Sequence, residues 1–116
     1  AFQRRSEDRP VDPATAVLLV DAMGELTAWM ALAEAVFMGG TLAPVGGHNP
    51  LEAMQFGVPL LAGPQRFNFA EVFAALEEEG AVAPVQGADD LAHGLAAWRA
   101  EPAAARAAGE RGRALH

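Results

Sequence analysis

The sequence predicts an α/β fold, a Rossmann-like parallel sheet flanked by helices, on the basis of two observations. Short apolar runs typical of buried strands alternate with segments of helical periodicity along the 116 residues, as in successive βαβ units. Hydrophobic residues make up 52% of the chain and charged residues 20%, a composition typical of a globular domain. The length suits one domain with a modest core, so we assign residues 1–116 to a single domain.

Four apolar runs are predicted as strands, at 16–20, 35–40, 58–63 and 81–85. The first, AVLLV, is continuously apolar and not alternating, so we expect a strand that is buried on both faces, as in a parallel sheet. The polar opening at 4–13 contains two prolines and is predicted as a loop.

Four segments are predicted as helices, at 25–34, 51–57, 68–80 and 88–116. We expect Gly57 and Gly80 to end the second and third helices, because glycine readily adopts the left-handed conformation that follows a helix. Asn68 is the expected cap of the third helix. Pro102 should bend or interrupt the fourth, since proline lacks a backbone N–H.

Charge and composition exclude several classes of function. The formal net charge is −7, from 15 acidic and 8 basic residues, which disfavours a nucleic-acid partner. The chain has no cysteine, so it can form neither a disulfide framework nor a thiolate metal site. No apolar run approaches the length needed to span a bilayer. We expect no cofactor, and the sparse histidines lack metal-ligand spacing, so we expect no metal.

Ligands of open parallel sheets bind at the carboxyl ends of strands, and the first such loop is DAMGEL, 21–26. Gly24 could allow a ligand to approach the backbone closely, or could simply make a turn. Glu25 could contact that ligand, or could interact favourably with the dipole of the helix that it begins. The loop alone leaves both interpretations open.

The second loop, GGTLAPVGGHNPLE at 39–52, carries a stronger signal. Gly46 and Gly47 form a second Gly-Gly pair in one connection, which is costly in chain entropy and suggests close approach to a phosphate or sugar. Asn49 can cap the following helix, and Pro50 suits its first turn. Glu52 would then lie in that turn, where a carboxylate can accept two hydrogen bonds from a ribose diol. A plain, capped helix start is the alternative.

Three further residues border these loops. His48 is expected to hydrogen-bond within its loop and not to bind a metal. Gln65 and Arg66, in GPQRFNFAE at 63–71, could border a ligand cleft at the end of a strand, with Arg66 as an anion partner. The alternative is that Phe67 and Phe69 belong to the core and Asn68 only caps a helix.

The motifs MGEL, FMGGTL, GGHNPLE, GVPLLAGP and FNF, in this order, resemble the C-terminal domain of bacterial 3-deoxy-D-manno-octulosonic acid (Kdo) transferases. The resemblance implies the donor-nucleotide half of a GT-B glycosyltransferase. Such enzymes transfer Kdo from CMP-Kdo to the lipid A precursor in lipopolysaccharide biosynthesis, at the cytoplasmic face of the inner membrane. It also implies that CMP is contacted by two segments, Met23, Gly24 and Glu25 in one, and Asn49, Pro50, Leu51 and Glu52 in the other.

Two departures from the family pattern lie beside this site. Ala53 replaces the proline that usually follows GGHNPLE, and Gln65 and Arg66 replace a His-Thr pair. Neither change removes an implied CMP contact.

The resemblance also implies that the catalytic carboxylate, the acceptor site and the membrane anchor belong to an N-terminal domain that precedes residue 1. We therefore expect no catalytic residue within 1–116, and no transferase activity from this chain alone. The acceptor and the membrane would be reached only through the missing part. An apolar face left uncovered by that part would favour self-association. The alternatives are a donor domain for a UDP-sugar and a non-catalytic α/β module.

Overall fold

The computed structural model describes residues 2–21 and 24–116. The strands within these ranges are β1 Phe2–Arg4, β2 Val17–Leu19, β3 Val36–Phe37, β4 Leu60–Ala62 and β5 Val82–Pro84. The helices are α1 Leu26–Leu32, α2 Leu51–Gln55, α3 Ala70–Glu78, α4 Ala88–Ala100 and α5 Pro102–Leu115. Short 3-10 helices cover Arg5–Glu7 and Phe67–Phe69.

All strand pairs in the described part of the chain are parallel. One sheet has the order β3-β4-β5, with Leu60 of β4 opposite Val36 on one side and Val82 on the other. A second sheet pairs β1 with β2, Phe2 lying opposite Val17. Helices connect successive strands from β2 onward, as parallel pairing requires. The predicted α/β class with parallel sheets and flanking helices is therefore confirmed.

The core lies around the central strand β4. Its Leu60, Leu61 and Ala62 are at most 1% exposed, because β4 has a strand on each side and helices covering it. Phe73 and Leu76 of α3 pack into the same core and are fully buried. The continuous apolar run at 58–63 is what a strand buried on both faces requires.

The same expectation is wrong for the run at 16–20. It does form a strand, β2, but Val17 is 58% exposed and Leu19 is 48% exposed. Within the described residues β2 pairs only with β1, and about half of each of these two side chains is open to solvent. A continuous apolar run thus predicted the strand correctly but not its environment.

The opening of the chain is more ordered than a polar loop. Residues 2–4 form β1, and Gln3 within it is 2% exposed. Its side chain donates to the carbonyl oxygen of Pro10 at 3.2 Å, and accepts from the Asp12 N–H at 3.2 Å and from the Thr15 hydroxyl at 3.1 Å. These bonds fold residues 10–15 over β1, because a buried amide must have its donors and acceptors satisfied.

The last helical region is interrupted at Pro102, as expected. Glu101 adopts φ −129° and ψ 75°, and Pro102 is the first residue of α5. A residue before proline is disfavoured in the α conformation, whereas proline suits the first helical position. Helix α5 then returns along α2, where Gly109 approaches the carbonyl oxygen of Gly57 so closely that a Cβ atom would overlap it.

Candidate functional site

Thr41 joins the loop after β3 to the end of β4. This residue is fully buried, and its hydroxyl donates to the Met38 carbonyl oxygen at 2.6 Å and accepts from the Gly63 N–H at 2.8 Å. The Thr41 carbonyl oxygen accepts from the Gln65 N–H at 2.8 Å. The two strand-end loops are therefore held together as one unit.

The second Gly-Gly pair of this loop is explained by contacts within the protein. Gly46 has φ +97° and Gly47 has φ +86°, a region that favours glycine. A Cβ atom at Gly46 would lie 2.5 Å from the ring of Phe67, and one at Gly47 would lie 3.2 Å from the Thr41 methyl. Both glycines are buried. Their conformation thus needs no ligand to account for it.

Asn68 does not cap the third helix, so that prediction is wrong. It lies in the 3-10 helix before α3, and its amide donates to the carbonyl oxygens of Val45 at 3.2 Å and Gly47 at 3.5 Å. Its backbone N–H donates to Gly46 at 3.0 Å. Phe67 beside it is 63% exposed and does not belong to the core. The FNF segment therefore braces the glycine loop from outside.

Asn49 supports the start of the helix that follows it, although Pro50 and not Asn49 occupies the N-cap position. Its side-chain oxygen accepts from the Leu51 N–H at 3.0 Å, while the Pro50 carbonyl oxygen accepts the first helical bond, from Met54, at 3.0 Å. Pro50 is almost fully buried and holds this turn in place. Glu52 lies exposed in the first turn, and its carboxylate has no hydrogen bond or ion pair to any residue that the structure describes. The turn thus presents a free carboxylate from a fixed backbone.

His48 is exposed, and its ring packs against the first Gly-Gly pair. A Cβ atom at Gly40 would lie 3.4 Å from the His48 ring. The His48 ring forms no hydrogen bond with any described residue, so the hydrogen bond expected within the loop is not found. Residues 2–21 and 24–116 contain no group of three His, Asp or Glu side chains that could hold a metal ion.

The loop after β2 is described from Gly24 onward, and Met23 lies outside the described residues. Gly24 has φ +82°, and no atom of the described residues other than its chain neighbours lies within 4 Å of the position of its missing Cβ. Glu25 immediately precedes α1. One oxygen of its carboxylate, Oε1, accepts from the indole N–H of Trp29 at 3.2 Å and pairs with the Arg5 guanidinium at 3.1 Å. This carboxylate is therefore oriented by two donors beside an open backbone.

Asp21 at the end of β2 is a residue that the sequence interpretation missed. Its two carboxylate oxygens accept from the backbone N–H and the hydroxyl of Ser6, at 2.8 and 2.6 Å. These two bonds hold the pKa of Asp21 below its ordinary value, because both favour the charged carboxylate. The bond from the Ser6 hydroxyl has the larger effect. No local signal could have revealed this pair, since its members lie 15 positions apart.

Gln65 and Arg66 line a cavity of about 440 Å³ against α3. The Arg66 guanidinium is, however, engaged by the protein itself. It donates to the carbonyl oxygen of Gly63 at 2.6 Å and pairs with Glu77 at 3.0 Å, and it lies 5.3 Å from the ring centroid of Phe73. With its donors occupied in this way, Arg66 is a brace between β4 and α3, and an anion-binding role is not supported.

The two segments singled out from the sequence lie at the starts of two neighbouring helices. Glu25 directly precedes α1, Asn49 lies two residues before α2, and the two helices pack against each other. Residues at the far ends of both helices line one shared cavity. Both helices begin after the carboxyl end of a strand, whereas this cavity is lined by residues just before β3 and β4. Gln65 and Arg66 belong to the separate cavity against α3.

Comparison with known proteins identifies relatives over nearly the whole chain. The family model described as "Glycosyl transferases group 1" matches residues 2–115. The chain is 40% identical to the 3-deoxy-D-manno-octulosonic acid transferase of Haemophilus influenzae over 77% of its own length and 21% of the relative's. It is 34% identical to the enzyme of the same name from Bordetella pertussis over 98% of its length and 27% of the relative's.

A solved structure is similar over the same range. The chain matches the crystal structure of the C-terminal CMP-Kdo binding domain of WaaA from Acinetobacter baumannii with a TM-score of 0.93 and 37% identity. The match covers 98% of this chain and 60% of that one. The resemblance that the sequence motifs indicated is confirmed by these matches. The chain spans about a quarter of the length of the curated relatives, 21% and 27% of the two above.

Proposed function

We propose, from the premise that this chain belongs to the group 1 glycosyl transferases, that it binds CMP-Kdo as the donor domain of a Kdo transferase. The observation that carries the proposal is the similarity to a CMP-Kdo binding domain over 98% of the chain, at 37% identity.

In this proposal the CMP moiety binds where α1 and α2 begin. Gly24 leaves its side of the backbone open, and Glu25 is oriented beside it by Arg5 and Trp29. The first N–H groups of a helix have no partner within the helix and can donate to a phosphate. Met23 and Gly24 would contribute the backbone of the first segment.

The second segment, residues 49–52, would supply the contact to the ribose of the nucleotide. Glu52 is exposed in a turn fixed by Asn49 and Pro50, and its free carboxylate can accept both hydroxyls of a ribose. Leu51 would contribute its backbone and its exposed side chain at the rim. Gly46, Gly47 and His48 would shape the adjoining wall. Their internal packing supports a fixed wall rather than direct contact.

The reaction proposed for the whole enzyme is transfer of Kdo from CMP-Kdo to a lipid A precursor. Residues 1–116 would hold CMP as it leaves, with helix N–H groups stabilising charge that develops on its phosphate. The general base, the acceptor site and the membrane contact would belong to the remainder of a protein as long as the relatives. Its place would be the cytoplasmic face of the inner membrane. No helix within the described ranges is long and apolar enough to cross a bilayer.

A titration of the ¹⁵N-labelled chain with CMP, and in parallel with UMP, tests this proposal. We expect amide shifts centred on Gly24, Glu25, Asn49 and Glu52, larger with CMP than with UMP at equal concentration. Equal responses would favour the donor domain of a UDP-sugar enzyme. A folded chain with no response to millimolar nucleotide would contradict the donor site and favour a non-catalytic α/β module.

We also propose that the isolated chain self-associates through the uncovered face of the β1-β2 sheet. Phe2 and Val17 are directly paired, and Leu19 follows on the same face as Val17. All three are between 48% and 62% exposed, and a contiguous apolar patch favours association. Sedimentation should show a concentration-dependent dimer that the Val17→Glu variant reduces. An unchanged monomer at all concentrations would contradict the proposal.

A further inference from the structure

A cavity lies at the amino ends of β3 and β4, the edge of the sheet opposite the proposed nucleotide site, and we call it the basal cavity. It has a volume of about 770 Å³ and reaches the chain just before β3, at Ala35, and just before β4, at Val58 and Pro59. The last part of α1, the end of α2 and the junction of α4 with α5 form its walls. Its size falls in the range of small-molecule sites.

One side of the basal cavity is apolar and incompletely covered. Phe56 and Leu95 line it and are 37% and 42% exposed, and the half-buried ring of Trp98 lies beside them. Pro59 and Pro102 complete this side with rigid rings. An apolar chain placed here would remove all of these groups from water, which is the main source of favourable binding energy for such a ligand.

The other side carries two arginines that form no ion pair within the described part of the chain. Arg99 from α4 and Arg106 from α5 both line the cavity. Neither guanidinium forms an ion pair or a hydrogen bond with any residue within 2–21 or 24–116. Glu34 is the one acidic residue of the lining. Two arginines in one concave site, in a chain of net charge −7, are complementary to a single anionic group.

We propose that the basal cavity binds an amphiphilic anion, with its apolar chain against Trp98 and its phosphate or carboxylate between Arg99 and Arg106. Arginine matches the planar, bidentate geometry of both head groups. Glu34 opposes a second negative charge, so a ligand with one anionic group fits better than a polyanion. The site is distinct from the proposed CMP site, since it contains none of the residues assigned to nucleotide binding.

The test is a titration of the whole chain with decyl phosphate, with inorganic phosphate and 1-decanol as half-ligand controls. The readout is the indole N–H resonance of Trp98, which NMR resolves from that of Trp29. We expect a saturable shift with decyl phosphate and a much weaker response to either half-ligand. No shift, or a response to 1-decanol equal to that with decyl phosphate, would overturn the proposal.

Matched variants identify the site. Arg99→Gln and Arg106→Gln should each weaken decyl phosphate binding about tenfold, the scale of one lost charge-assisted contact. Glu34→Gln should strengthen it. Arg113→Gln removes the same charge from an exposed position on α5 outside the cavity and should change nothing. An Arg113→Gln effect equal to that of Arg106→Gln would mean nonspecific attraction and would overturn the site.

A further experiment distinguishes a membrane lipid from a free amphiphile as the source of the ligand. Vesicles of phosphatidylglycerol present the same chemistry from a membrane, with phosphatidylcholine vesicles as the neutral control. Binding to phosphatidylglycerol that Arg106→Gln weakens would assign the site to a membrane lipid. Decyl phosphate binding without vesicle binding would assign it to a free amphiphile.

Discussion

Ser6 donates its backbone N–H and its hydroxyl to the two carboxylate oxygens of Asp21, at 2.8 and 2.6 Å. This pair ties the turn after β1 to the end of β2. The neighbouring residue, Arg5, pairs with Glu25 at 3.1 Å. The first strand and its turn therefore hold both ends of the loop that contains Gly24, which is the open backbone of the proposed nucleotide site.

The Ser6→Ala variant should raise the pKa of Asp21 towards its ordinary value, because the largest cause of the lowered pKa is the serine hydroxyl. A carboxyl whose pKa is lowered by folding stabilises the protein above its unfolded pKa, about 3.9. That contribution is lost as the pH falls through the lower folded pKa. An NMR titration of the Asp21 side-chain carbon in both proteins measures the change. Identical titration curves would show that the hydroxyl bond is not formed in solution.

Glu52→Gln should weaken CMP binding about tenfold, because an amide accepts hydrogen bonds from a ribose diol less strongly than a carboxylate. Stability should change by less than about 0.5 kcal/mol, as expected for an exposed side chain with no partner. Glu71→Gln is the matched control, since Glu71 is also exposed in the first turn of a helix, α3. Calorimetric CMP titration measures the affinities, and urea unfolding measures the stabilities.

Equal affinities of the Glu52→Gln and Glu71→Gln variants would contradict the proposed ribose contact. A gain of affinity in both variants together would point instead to a general effect of charge, because each variant removes one negative charge from an acidic chain that binds an anion.

Local chemistry made part of this molecule predictable. The strand at 58–63 could be predicted because a strand covered on both faces must be apolar throughout, and Leu60 and Leu61 are at most 1% exposed. The break at Pro102 could be predicted because proline restricts its own backbone and that of the residue before it. The segment from Asn49 to Glu52 could be predicted because capping acts within one turn.

Other side-chain roles depend on contacts between residues that are far apart in the sequence, and these could not be predicted. Asn49 and Asn68 both precede apolar helical segments, yet only Asn49 accepts a hydrogen bond from the first N–H of its helix. The amide of Asn68 is recruited by the carbonyl oxygens of Val45 and Gly47, 23 and 21 positions away. Arg66 was considered as a partner for an anionic ligand, but its guanidinium pairs with Glu77 of the protein itself. No pattern within a short window contains such partners, so the capping role of Asn68 was predicted wrongly and the contacts of Arg66 within the protein could not be predicted.

Asn49→Ala should destabilise the chain by about 1 kcal/mol, because the Leu51 N–H loses its cap. Asn49→Asp should keep that stability, since aspartate caps equally well, but should weaken CMP binding by placing a negative charge beside the phosphate. Urea unfolding and CMP titration of both variants separate the two effects. CMP binding to Asn49→Asp as tight as to the unchanged chain would exclude the phosphate from this end of α2.

Two glycines in α5 should respond oppositely to replacement by alanine. At Gly109 a Cβ atom would overlap the backbone carbonyl of Gly57, whereas at Gly112 the nearest atom, Ala81 Cβ, would lie at an ordinary 3.5 Å. Backbone cannot rotate away as a side chain can, so Gly109→Ala should cost about 1–3 kcal/mol or more through the shift of α5 from α2. Gly112→Ala should stabilise by up to about 1 kcal/mol, because alanine is favoured over glycine within a helix. Thermal unfolding of both variants compares them on one helix. Equal stabilisation by both would show that α5 does not contact Gly57 this closely in solution.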